Sequence, residues 1–540
     1  MQNKSNEEKF IYNPVSKDKD AIPLWFCFPS TYMIGMSSLG YLNLFKILDQ
    51  NKDVYPERIF VDTETTNHNS KEIELAGFSF SFELDFIGVF KILSKYNIPF
   101  RSKDRNNDHP IIFGGGPVLT ANPEPYADFF DVITLGDGEE ILTELINAYK
   151  EVRYLDNRRE KLAHLAQVRG VYVPSLYDVE YNSDDTIKSY TRNNLKAPEI
   201  LNKRCIETLT DCTYTPILTK KTMFSDMFLI ETSRGCPRRC AFCLASYLNL
   251  PARYPDFKSI IDSIDIGLNN SSKIGLLGAL ITEHPEFNRI CEHILFKRTQ
   301  KEFQLSVSSL RADKITPLMV KTLVAGGQKN TTIAVEAGSE RLRKVINKNL
   351  SEEDIRNSVR TARENGLSGL KIYGMIGLPT EKQEDIVELV NLMSKLKKEN
   401  KGFKLTLSIS SFVPKAHTPF QWEKREDIKE LQGKNEFLRK ELHKIGIEFK
   451  PTSVKWDYIQ AVLSRGDRRL SPLLEKVYEH GGSLGSWGRS YKEMEDKEDC
   501  PSYDWYALRE RNYNEILPWN FIDTGIAKEL LIKEHNKTVK

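Results

Sequence analysis

The chain has 540 residues, of which 40% are apolar and 28% are charged, and 77 basic against 75 acidic residues leave a net charge of +2. This length is too great for one core, so about two to four domains are expected, and nothing global argues for nucleic acid or a membrane as partner. No apolar run of about 18 residues and no basic-then-apolar leader occurs, which predicts a soluble, cytoplasmic protein. Eight cysteines are too sparse for a disulfide framework.

The first part of the chain predicts a parallel α/β sheet. Residues 1–20 are polar and are expected to form an arm with little structure. In residues 21–150, apolar segments alternate with segments of helical periodicity, as in parallel sheets. The apolar segments are "IPLWFCF" (22–28), "ERIFVD" (57–62), "ELAGFSFS" (74–81), "PIIFGGG" (110–116) and "DVITLGDGEE" (131–140). Their glycines indicate either ligand-binding loops at the carboxyl ends of strands or simple tight turns.

The middle of the chain predicts a connector followed by a barrel. Residues 151–225 contain short, partly antiparallel strand patterns and are interpreted as a connector between domains. Residues 226–420 contain six strand-like segments separated by helix-like ones, which suits a partial parallel (β/α)6 barrel with its active site at the carboxyl ends of the strands. The strand segments are "MFLIET" (227–232), "KIGLLGAL" (273–280), "FQLSVSS" (303–309), "TTIAVEA" (331–337), "LKIYGMIG" (370–377) and "KLTLSISS" (404–411).

The last part of the chain, residues 421–540, is highly charged and rich in aromatic residues, and it predicts a small, mainly helical domain. Its segment "RGDRR" (465–469) is either a phosphate-contacting patch or a solvated run of charge. Lys415 and His417 lie just past the sixth predicted strand, where they are candidate substrate contacts at the mouth of the barrel.

Three cysteines in "ETSRGCPRRCAFCLASY" (231–247) are the strongest chemical signal. Cys236, Cys240 and Cys243 have the spacing C-x3-C-x2-C and directly follow the first barrel strand. A structural zinc site would need a fourth Cys or His ligand, and unrelated buried thiols would not gather in one loop. An iron–sulfur cluster held by three thiolates instead leaves one iron open to a substrate or cofactor, and this explanation is favoured.

The motif C-x3-C-x-Phe-C after the first strand of a partial barrel resembles the radical S-adenosylmethionine (SAM) superfamily. The resemblance implies a 4Fe–4S cluster whose open iron is chelated by SAM. It also implies one-electron cleavage of SAM to a 5′-deoxyadenosyl radical, with a flavodoxin or ferredoxin as electron donor. Segment 275–286 occupies the position where the superfamily binds the SAM amino group, although the usual Gly-Gly-Glu is absent.

Further barrel segments match SAM-binding positions of the superfamily. Phe242 corresponds to the aromatic residue near the adenine, "VEAGSERLRKVINK" (335–348) to the ribose and carboxylate segment, and "YGMIGLPTE" (373–381) to the segment beside the adenine. "SVSSLRAD" (306–313) offers two further polar contacts. The same residues would also suit ordinary turns at the ends of barrel strands. The residues that the resemblance assigns to SAM are Phe242, Ser309, Arg311, Glu336, Ser339, Ile376 and Gly377.

Segments over nearly the whole chain resemble radical SAM proteins that carry an N-terminal, Rossmann-like domain of the cobalamin-binding type. Among these segments are "MIGMSSLGYLNLFKIL" (33–48), "SSFVPKAHTPFQW" (410–422) and "LPWNFIDTGIAKELL" (517–531). This likeness favours cobalamin near the glycine-rich loops, and its candidate contacts are Ser81, Gly114, Gly115, Gly116, Gly136, Gly138 and Glu139. The Asp-x-His-x-x-Gly motif that supplies a cobalt ligand in many such domains is absent. Either cobalamin binds without a protein imidazole or the domain has lost the cofactor.

Cobalamin-dependent methyl transfer to an unactivated carbon is the leading reaction that the resemblance implies. Methylthiolation of RNA or a ribosomal protein is an alternative, because methylthiotransferases share the barrel motifs. Those enzymes carry three more cysteines in the N-terminal domain, whereas residues 1–200 contain only Cys27. A non-enzymatic iron–sulfur scaffold or sensor is a third hypothesis. The sequence does not identify the substrate or the oligomeric state.

Overall fold

The structure is a computed structural model that describes residues 7–494 and 500–539. Residues 1–6 of the predicted arm lie outside the described residues. The rest of the arm contains strand β1 (Glu8–Phe10), which pairs antiparallel with residues 217–219. The hydroxyl of Tyr12 donates to Asp49 at 2.7 Å, so this segment packs on the domain that follows. Its polar composition concealed these contacts.

The N-terminal region forms a six-stranded sheet. Its strands are β2 (Ile22–Phe28), β3 (Val54–Phe60), β4 (Leu75–Ser79), β5 (Ile111–Gly115), β6 (Val132–Thr134) and β7 (Val171–Tyr172). Strands β2 to β6 are parallel in the order β3-β2-β4-β5-β6, which is the flavodoxin-like doubly wound order. The predicted parallel α/β sheet is confirmed. Antiparallel β7 extends it into the predicted connector.

The helices of this region follow the strands. They are α1 (Tyr32–Gly35), α2 (Leu39–Asp49), α3 (Phe86–Lys95), α4 (Pro117–Ala121), α5 (Gly138–Val152) and α6 (Arg158–Leu165). Helix α2 begins at the cap Ser38, whose hydroxyl accepts from the backbone of Tyr41. In a sheet of this order, ligands bind outside the carboxyl ends of the strands. Helices α2, α4 and α5 begin at that edge.

The connector contains short strands, as expected from its pattern. Strands β8 (Tyr177–Tyr181) and β9 (Ile187–Arg192) form an antiparallel hairpin. Strand β10 (Leu201–Asn202) pairs with residues 522–523 near the end of the chain, and β11 (Ile217–Thr219) is the partner of β1. The connector therefore ties both ends of the chain to its middle.

The central region is a partial parallel barrel, as predicted, with one strand more than the six expected. A three-stranded and a four-stranded sheet meet at a bridge between Leu310 and Ile333. The strands are β12 (Phe228–Ser233), β13 (Lys273–Gly278), β14 (Gln304–Val307), β15 (Asn330–Glu336), β16 (Gly369–Ile376), β17 (Lys404–Ser411) and β18 (Glu448–Pro451). Strand β18 lies in the region predicted as helical. The sequence did not indicate this strand, because the segment "EFKP" is short and half of its residues are charged.

The barrel helices alternate with these strands. They are α7 (Leu244–Leu248), α8 (Phe257–Asn270), α9 (Phe287–Gln300), α10 (Pro317–Ala325), α11 (Glu340–Val345), α12 (Glu352–Glu364), α13 (Gln383–Glu399) and α14 (Ile428–Lys444). At the start of α12, Ser351 accepts from the backbone of Asp354 and the Asp354 carboxylate accepts in return from Ser351. This reciprocal cap stabilises the first turn and was visible in the sequence.

The C-terminal region is mainly helical and packs on the N-terminal sheet domain. It comprises α15 (Val454–Arg465), α16 (Ser471–Glu479), α17 (Leu484–Met494), α18 (Tyr503–Ala507), the short strand β19 (Ile522–Asp523) and α19 (Lys528–Val539). One buried apolar cluster contains both β2 residues such as Leu24 and C-terminal residues such as Leu463 and Trp487. The two regions therefore share a core.

The "RGDRR" segment lies in that shared interface. Arg465 is fully buried and donates to the carbonyls of Ala507 and Arg509. Arg468 pairs with the buried carboxylate of Glu124 at 2.8 Å. The sequence suggested either a phosphate-contacting patch or a solvated run of charge. Neither interpretation fits these side chains, because their charged groups make contacts inside the protein.

Candidate functional site

The three cysteines lie in one loop at the carboxyl end of β12. Gly235 begins the turn with a φ of +80°, and a Cβ there would lie 2.2 Å from the carbonyl oxygen of Asn249. Cys236 and Cys240 are buried, and Cys243 is half-buried at the cap of α7. All three are free thiols. The chain thus presents three thiols within eight residues at the active-site end of the barrel.

Backbone contacts fix this cysteine loop (residues 234–243) against the fourth barrel unit. The amide of Ala241 donates to the carbonyl of Ile346 at 3.0 Å. The carbonyl of Arg239, a residue with a φ of 54°, accepts from Asn347 at 2.8 Å and from the Tyr247 hydroxyl at 3.1 Å. The loop is therefore held in position by the protein around it.

Two cations lie near the buried thiols, each of them paired with a carboxylate. Burial raises the pKa of Cys240 to about 11, and the nearby ammonium of Lys348 opposes that rise. Lys348 is itself buried and pairs with Glu336 at 3.0 Å. Arg238 in the loop pairs with Glu283. A cation beside a thiol favours the thiolate, which is the form that binds metals.

The thiols do not converge on a single point. Within residues 7–494 and 500–539, no group of three or more His, Cys, Asp or Glu side chains is arranged to hold one metal ion. A cluster makes a different demand, because each of its irons takes its own thiolate. Three free thiols on one loop suit this distributed donor set.

A cavity of about 490 Å³ lies between the N-terminal sheet and the barrel. We call it the interdomain cavity. One side is formed by residues that follow β4, β5 and β6 and by the start of α2. The other side is formed by Ser233, Arg234 and Gly235 of the cysteine loop region and by segment 277–279 after β13. The carboxyl ends of both sheets therefore open into one space.

An ionic cluster crosses this cavity and joins the two domains. Arg234 contacts Glu139 at 2.8 Å and Asp137 at 3.2 Å, both from the N-terminal domain, and Glu231 of β12 at 2.9 Å. Arg253 contacts the other oxygen of Asp137 at 2.6 Å. Although burial alone would raise it, the two guanidinium groups hold the pKa of Asp137 below its usual range. Arg234 lies two residues before Cys236, so this cluster anchors the cysteine loop.

Two regions of the chain match families of known proteins. Residues 40–174 match the family described as radical SAM proteins, N-terminal, and residues 230–393 match the radical SAM superfamily. Together these regions span more than half of the chain, including most of the N-terminal sheet and the cysteine loop. The chain belongs to the radical SAM superfamily. It is a radical SAM enzyme, and the family implies a 4Fe–4S cluster and SAM as cofactors.

Individual proteins are similar to this radical SAM chain to different extents. The uncharacterized protein MJ0966 of Methanocaldococcus jannaschii is 29% identical over 452 residues, which are 83% of this chain and 89% of that protein. The uncharacterized methyltransferase PH0819 of Pyrococcus horikoshii is 23% identical over 58% of this chain and 65% of its own length. The cobalamin-dependent S-adenosylmethionine radical enzyme OxsB with aqua-cobalamin bound superposes with a TM-score of 0.49 at 14% identity, over 96% of this chain and 80% of that one.

No helix among residues 7–494 and 500–539 is both long and apolar enough to cross a bilayer. The three cysteine positions assigned from the sequence lie together in the loop at the barrel mouth. Their role as cluster ligands in this radical SAM chain is taken up below as a proposal.

The predicted SAM contacts lie around the mouth of the radical SAM barrel, but their side chains differ in availability. Phe242 packs half-buried on a small apolar cluster beside the loop. Glu336 has a φ of 71° at the end of β15 and contacts Lys348. Ser309 is exposed after β14. The assignment of these three residues to SAM stays a prediction, and the positions of the residues are compatible with it.

Contacts within the chain already occupy the other predicted SAM residues. Ser339 caps α11 and donates to Asp385. Arg311 is buried, pairs with Asp313 at 2.7 Å and donates to the carbonyls of Lys348 and Asn349. Structural roles at barrel-end turns therefore account for these two side chains. The assignments of all four residues stay predictions, including Ile376, which is buried in the barrel core, and Gly377, whose amide donates to Glu381 at 2.8 Å.

The predicted cobalamin contacts divide into two groups. Residues that border the interdomain cavity are Ser81, Gly116, Gly136, Gly138 and Glu139, whereas Gly114 and Gly115 do not border it. The glycines are required by the chain itself: a Cβ on Gly115 would lie 2.4 Å from the Thr134 hydroxyl, and one on Gly116 would lie 2.4 Å from the carbonyl oxygen of Phe80. Tight turns explain these glycines, and the cofactor assignment stays a prediction.

Replacing Gly136 by Ala is expected to destabilise the protein by about 2 kcal/mol or more. Its φ is +107°, and a Cβ would lie 2.0 Å from the carbonyl oxygen of Arg204. Chemical unfolding measures the effect. Gly40→Ala is the control, because Gly40 also borders the cavity but lies in α2 with nothing within 4 Å of its Cβ position. Gly40→Ala should raise the free energy of unfolding by about 0.5–1 kcal/mol. Equal effects of the two substitutions would contradict the explanation that close packing requires glycine at position 136.

The structure places Lys415 and His417 in contact with the N-terminal and C-terminal regions and not in an open substrate mouth. Lys415 pairs with Glu83 after β4 and donates to Ser464 at 2.8 Å. His417 is buried, and its Nε2 contacts the carbonyl oxygen of Ala121 at 3.0 Å. No local pattern in the sequence indicates that another domain covers this end of β17. Their role as substrate contacts stays without structural support.

The buried His417 is expected to make stability depend on pH. Burial lowers its pKa from 6.5 to about 4, so between these values the unfolded chain binds a proton that the folded chain does not. Stability should therefore rise with pH in this window, by at most about 1.4 kcal/mol per pH unit. His417→Asn, which tolerates the φ of 59°, should reduce this slope.

Unfolding midpoints at pH 7 and pH 5 measure this dependence. His443→Asn is the matched control, because His443 is exposed on α14 and should leave the slope unchanged. If His417→Asn has the same slope as the wild type, the buried neutral histidine does not contribute.

Two features of the site had not been inferred from the sequence. The cluster around Arg234 joins residues about 95 positions apart, a distance over which sequence patterns give no pairing. Lys348 lies at the end of segment 335–348, which resembles the superfamily, but its sequence position does not indicate an electrostatic role. The structure places it beside Cys240, where its ammonium opposes the rise in the pKa of the thiol that burial causes.

Proposed function

We propose that this enzyme holds a 4Fe–4S cluster on Cys236, Cys240 and Cys243 and cleaves SAM reductively to generate a 5′-deoxyadenosyl radical. The observation that carries the proposal is the cysteine loop: three free thiols within eight residues, fixed by backbone contacts at the carboxyl end of the first barrel strand. When bound, the cluster supplies one electron and an open iron position for SAM.

The residues around the loop have definable roles in this proposal. The cysteines bind iron as thiolates, and Lys348 beside Cys240 favours the ionised form. Glu336 holds Lys348 in place through their ion pair. Buried surroundings of Cys236 and Cys240 limit the access of water to the ligands. Segment 277–279 borders both the cavity and the loop, where a ligand of the open iron would lie.

We further propose that the interdomain cavity receives cobalamin for methyl transfer to an unactivated carbon. The doubly wound strand order supports this, because such sheets bind ligands at the edge that opens into the cavity. The cavity extends from that edge to the cysteine loop, so a ligand there would adjoin the SAM position. None of the described residues that line the cavity is a histidine. A corrinoid would therefore be held without an imidazole from these residues.

The methylthiotransferase alternative has little support in the fold. A second cluster in the N-terminal domain would need three further thiolates, and Cys27 is the sole cysteine in residues 1–200. Cys27 lies in β2 inside the core, where burial raises its pKa well above the usual range. Family membership also favours an enzyme over an iron–sulfur scaffold. A flavodoxin or ferredoxin is the proposed electron donor.

Anaerobic reconstitution tests the function directly. The protein is loaded with iron and sulfide, given SAM and dithionite, and assayed for 5′-deoxyadenosine by mass spectrometry. Release of 5′-deoxyadenosine is expected, and its absence from protein that contains a full cluster would overturn the proposal. Cobalamin is tested separately by gel filtration and visible spectroscopy. Retention of a corrinoid without a histidine-ligated spectrum is expected, and complete loss of corrinoid on gel filtration would overturn that part.

A further inference from the structure

Reductive cleavage of SAM requires one electron from outside the chain. When the sulfonium carbon–sulfur bond breaks, SAM takes up that electron and gives methionine and the 5′-deoxyadenosyl radical, so the charges and atoms balance. A one-electron carrier protein must therefore approach the cysteine loop. The interdomain cavity has a volume of about 490 Å³, which is the size of a small-molecule site and not of a protein interface.

A second space, an open groove of about 1200 Å³, borders residues 237 and 239 of the cysteine loop. We call it the outer groove. It is bordered by Pro237 and Arg239 of the loop, by Arg169 of the connector, and by residues 523–527 with α19. Pro237 follows Cys236 and Arg239 precedes Cys240, so the Cα atoms of these pairs are about 3.8 Å apart. The outer groove therefore reaches the backbone of two proposed cluster ligands.

The charges of the outer groove that lack a partner are positive. In residues 7–494 and 500–539, the exposed guanidinium groups of Arg169 and Arg239 make no hydrogen bond or ion pair. Lys203 donates to the carbonyl of Leu248 at 2.6 Å. The acidic residues are occupied: Glu534 pairs with Lys537 at 2.6 Å, and Asp523 accepts from the amide of Gly525 at 2.7 Å.

The floor of the groove is apolar between these charges. Leu250, Pro251 and Ala252 follow the loop, and Ile526 and Leu530 face them from the C-terminal segment. An apolar centre with charge at its edge is the usual composition of a transient protein interface. Complementary charges at such an edge act mainly on the rate of encounter.

We propose that the outer groove is the docking surface for an acidic one-electron carrier protein of the flavodoxin or ferredoxin type. The inference rests on the proposed function, since only a reducible cluster needs such a partner. Arg169 and Arg239 attract the acidic surface of the carrier, and the cysteine loop with the proposed cluster ligands borders the same groove. Small reductants such as dithionite do not depend on this surface.

The test compares two electron donors on the same reconstituted enzyme. The variant Arg169→Glu reverses the free cation that borders the outer groove from the connector, outside the cysteine loop. With a purified bacterial flavodoxin, its reductase and NADPH, 5′-deoxyadenosine formation at low ionic strength is expected to fall at least about tenfold. With dithionite, the rate should stay within about twofold of the wild type, because no docking is needed.

The control variant carries the same change of charge away from the groove. Lys398→Glu on α13 should leave both rates unchanged. Flavodoxin binding is also measured by surface plasmon resonance, where the wild type should bind more weakly as salt increases and the groove variant should bind weakly at every salt concentration.

Three outcomes would overturn the proposal: an unchanged flavodoxin-supported rate, an equal loss with both donors, or wild-type binding by the groove variant. Failure of the proposed function is distinguishable, because the wild type would then form no 5′-deoxyadenosine with dithionite either. The binding measurement does not require cleavage and would still decide whether the groove docks the carrier.

Discussion

Replacing Cys236, Cys240 and Cys243 together by Ala is expected to abolish both the visible iron–sulfur absorption and the formation of 5′-deoxyadenosine. The three thiols are the donor set of the proposed cluster. Each thiol that is removed leaves one iron without its protein ligand. The reconstituted variant should contain iron only at the level of a protein without a binding site. Iron and sulfide analysis, visible spectroscopy and the cleavage assay measure these effects.

A cysteine outside the loop supplies the control. Cys205 is a half-buried free thiol on the connector side of the outer groove. Cys205→Ala should retain the full complement of iron and the cleavage rate with dithionite. Iron retained in the triple variant at the wild-type level would show that the ligands lie elsewhere.

Replacing Arg234 by Ala is expected to lower the free energy of unfolding by about 3 kcal/mol and to reduce the iron content after reconstitution. Glu139, Asp137 and Glu231 would lose a shared cation, and Arg253 alone cannot reach all three. The exposed fraction of the Arg234 side chain is 16%, so water would relieve only part of the repulsion. Denaturant unfolding and iron analysis measure the two effects.

Two further variants separate charge from geometry. Arg234→Lys keeps the charge but has no planar fork, so its stability should lie between those of the wild type and Arg234→Ala. Arg356→Ala breaks an exposed pair with Glu399, which water screens, and should leave stability close to that of the wild type. The anchoring role of Arg234 would be contradicted if Arg234→Ala unfolded at the wild-type denaturant concentration.

The fold could be predicted from the sequence wherever hydrophobic patterns are local. The five parallel strands of the N-terminal sheet and the first six of the barrel are short apolar segments that alternate with helices, and they lie where the pattern places them. Strand β18 carries two charges and a proline in four residues, so nothing in its composition distinguishes it from a loop. Its pairing with β17 decides its structure.

The candidate site could be predicted only where its chemistry is contained in one segment. The cysteine loop contains its three proposed ligands within eight residues, so their spacing alone was sufficient to predict the site. The contacts of Arg234, Lys415 and His417 cross between domains, and no local pattern indicates them. The glycines of "FGGGP" show why a pattern alone does not decide: close contacts with Phe130, Thr134 and Phe80 require them, and Gly116 also borders the interdomain cavity.

The core shared by the two ends of the chain has a consequence for biosynthesis. Leu24 enters the ribosomal tunnel more than 400 residues before Leu463, yet both belong to the same buried cluster. Contacts between residues so distant in sequence form late and slow folding, because a long loop must be closed first. The nascent N-terminal sheet must remain partly uncovered while the barrel is made, and such exposed apolar surface recruits chaperones or aggregates. Shortened chains that end before α15 should therefore accumulate as insoluble protein even though they contain every proposed ligand of the cluster.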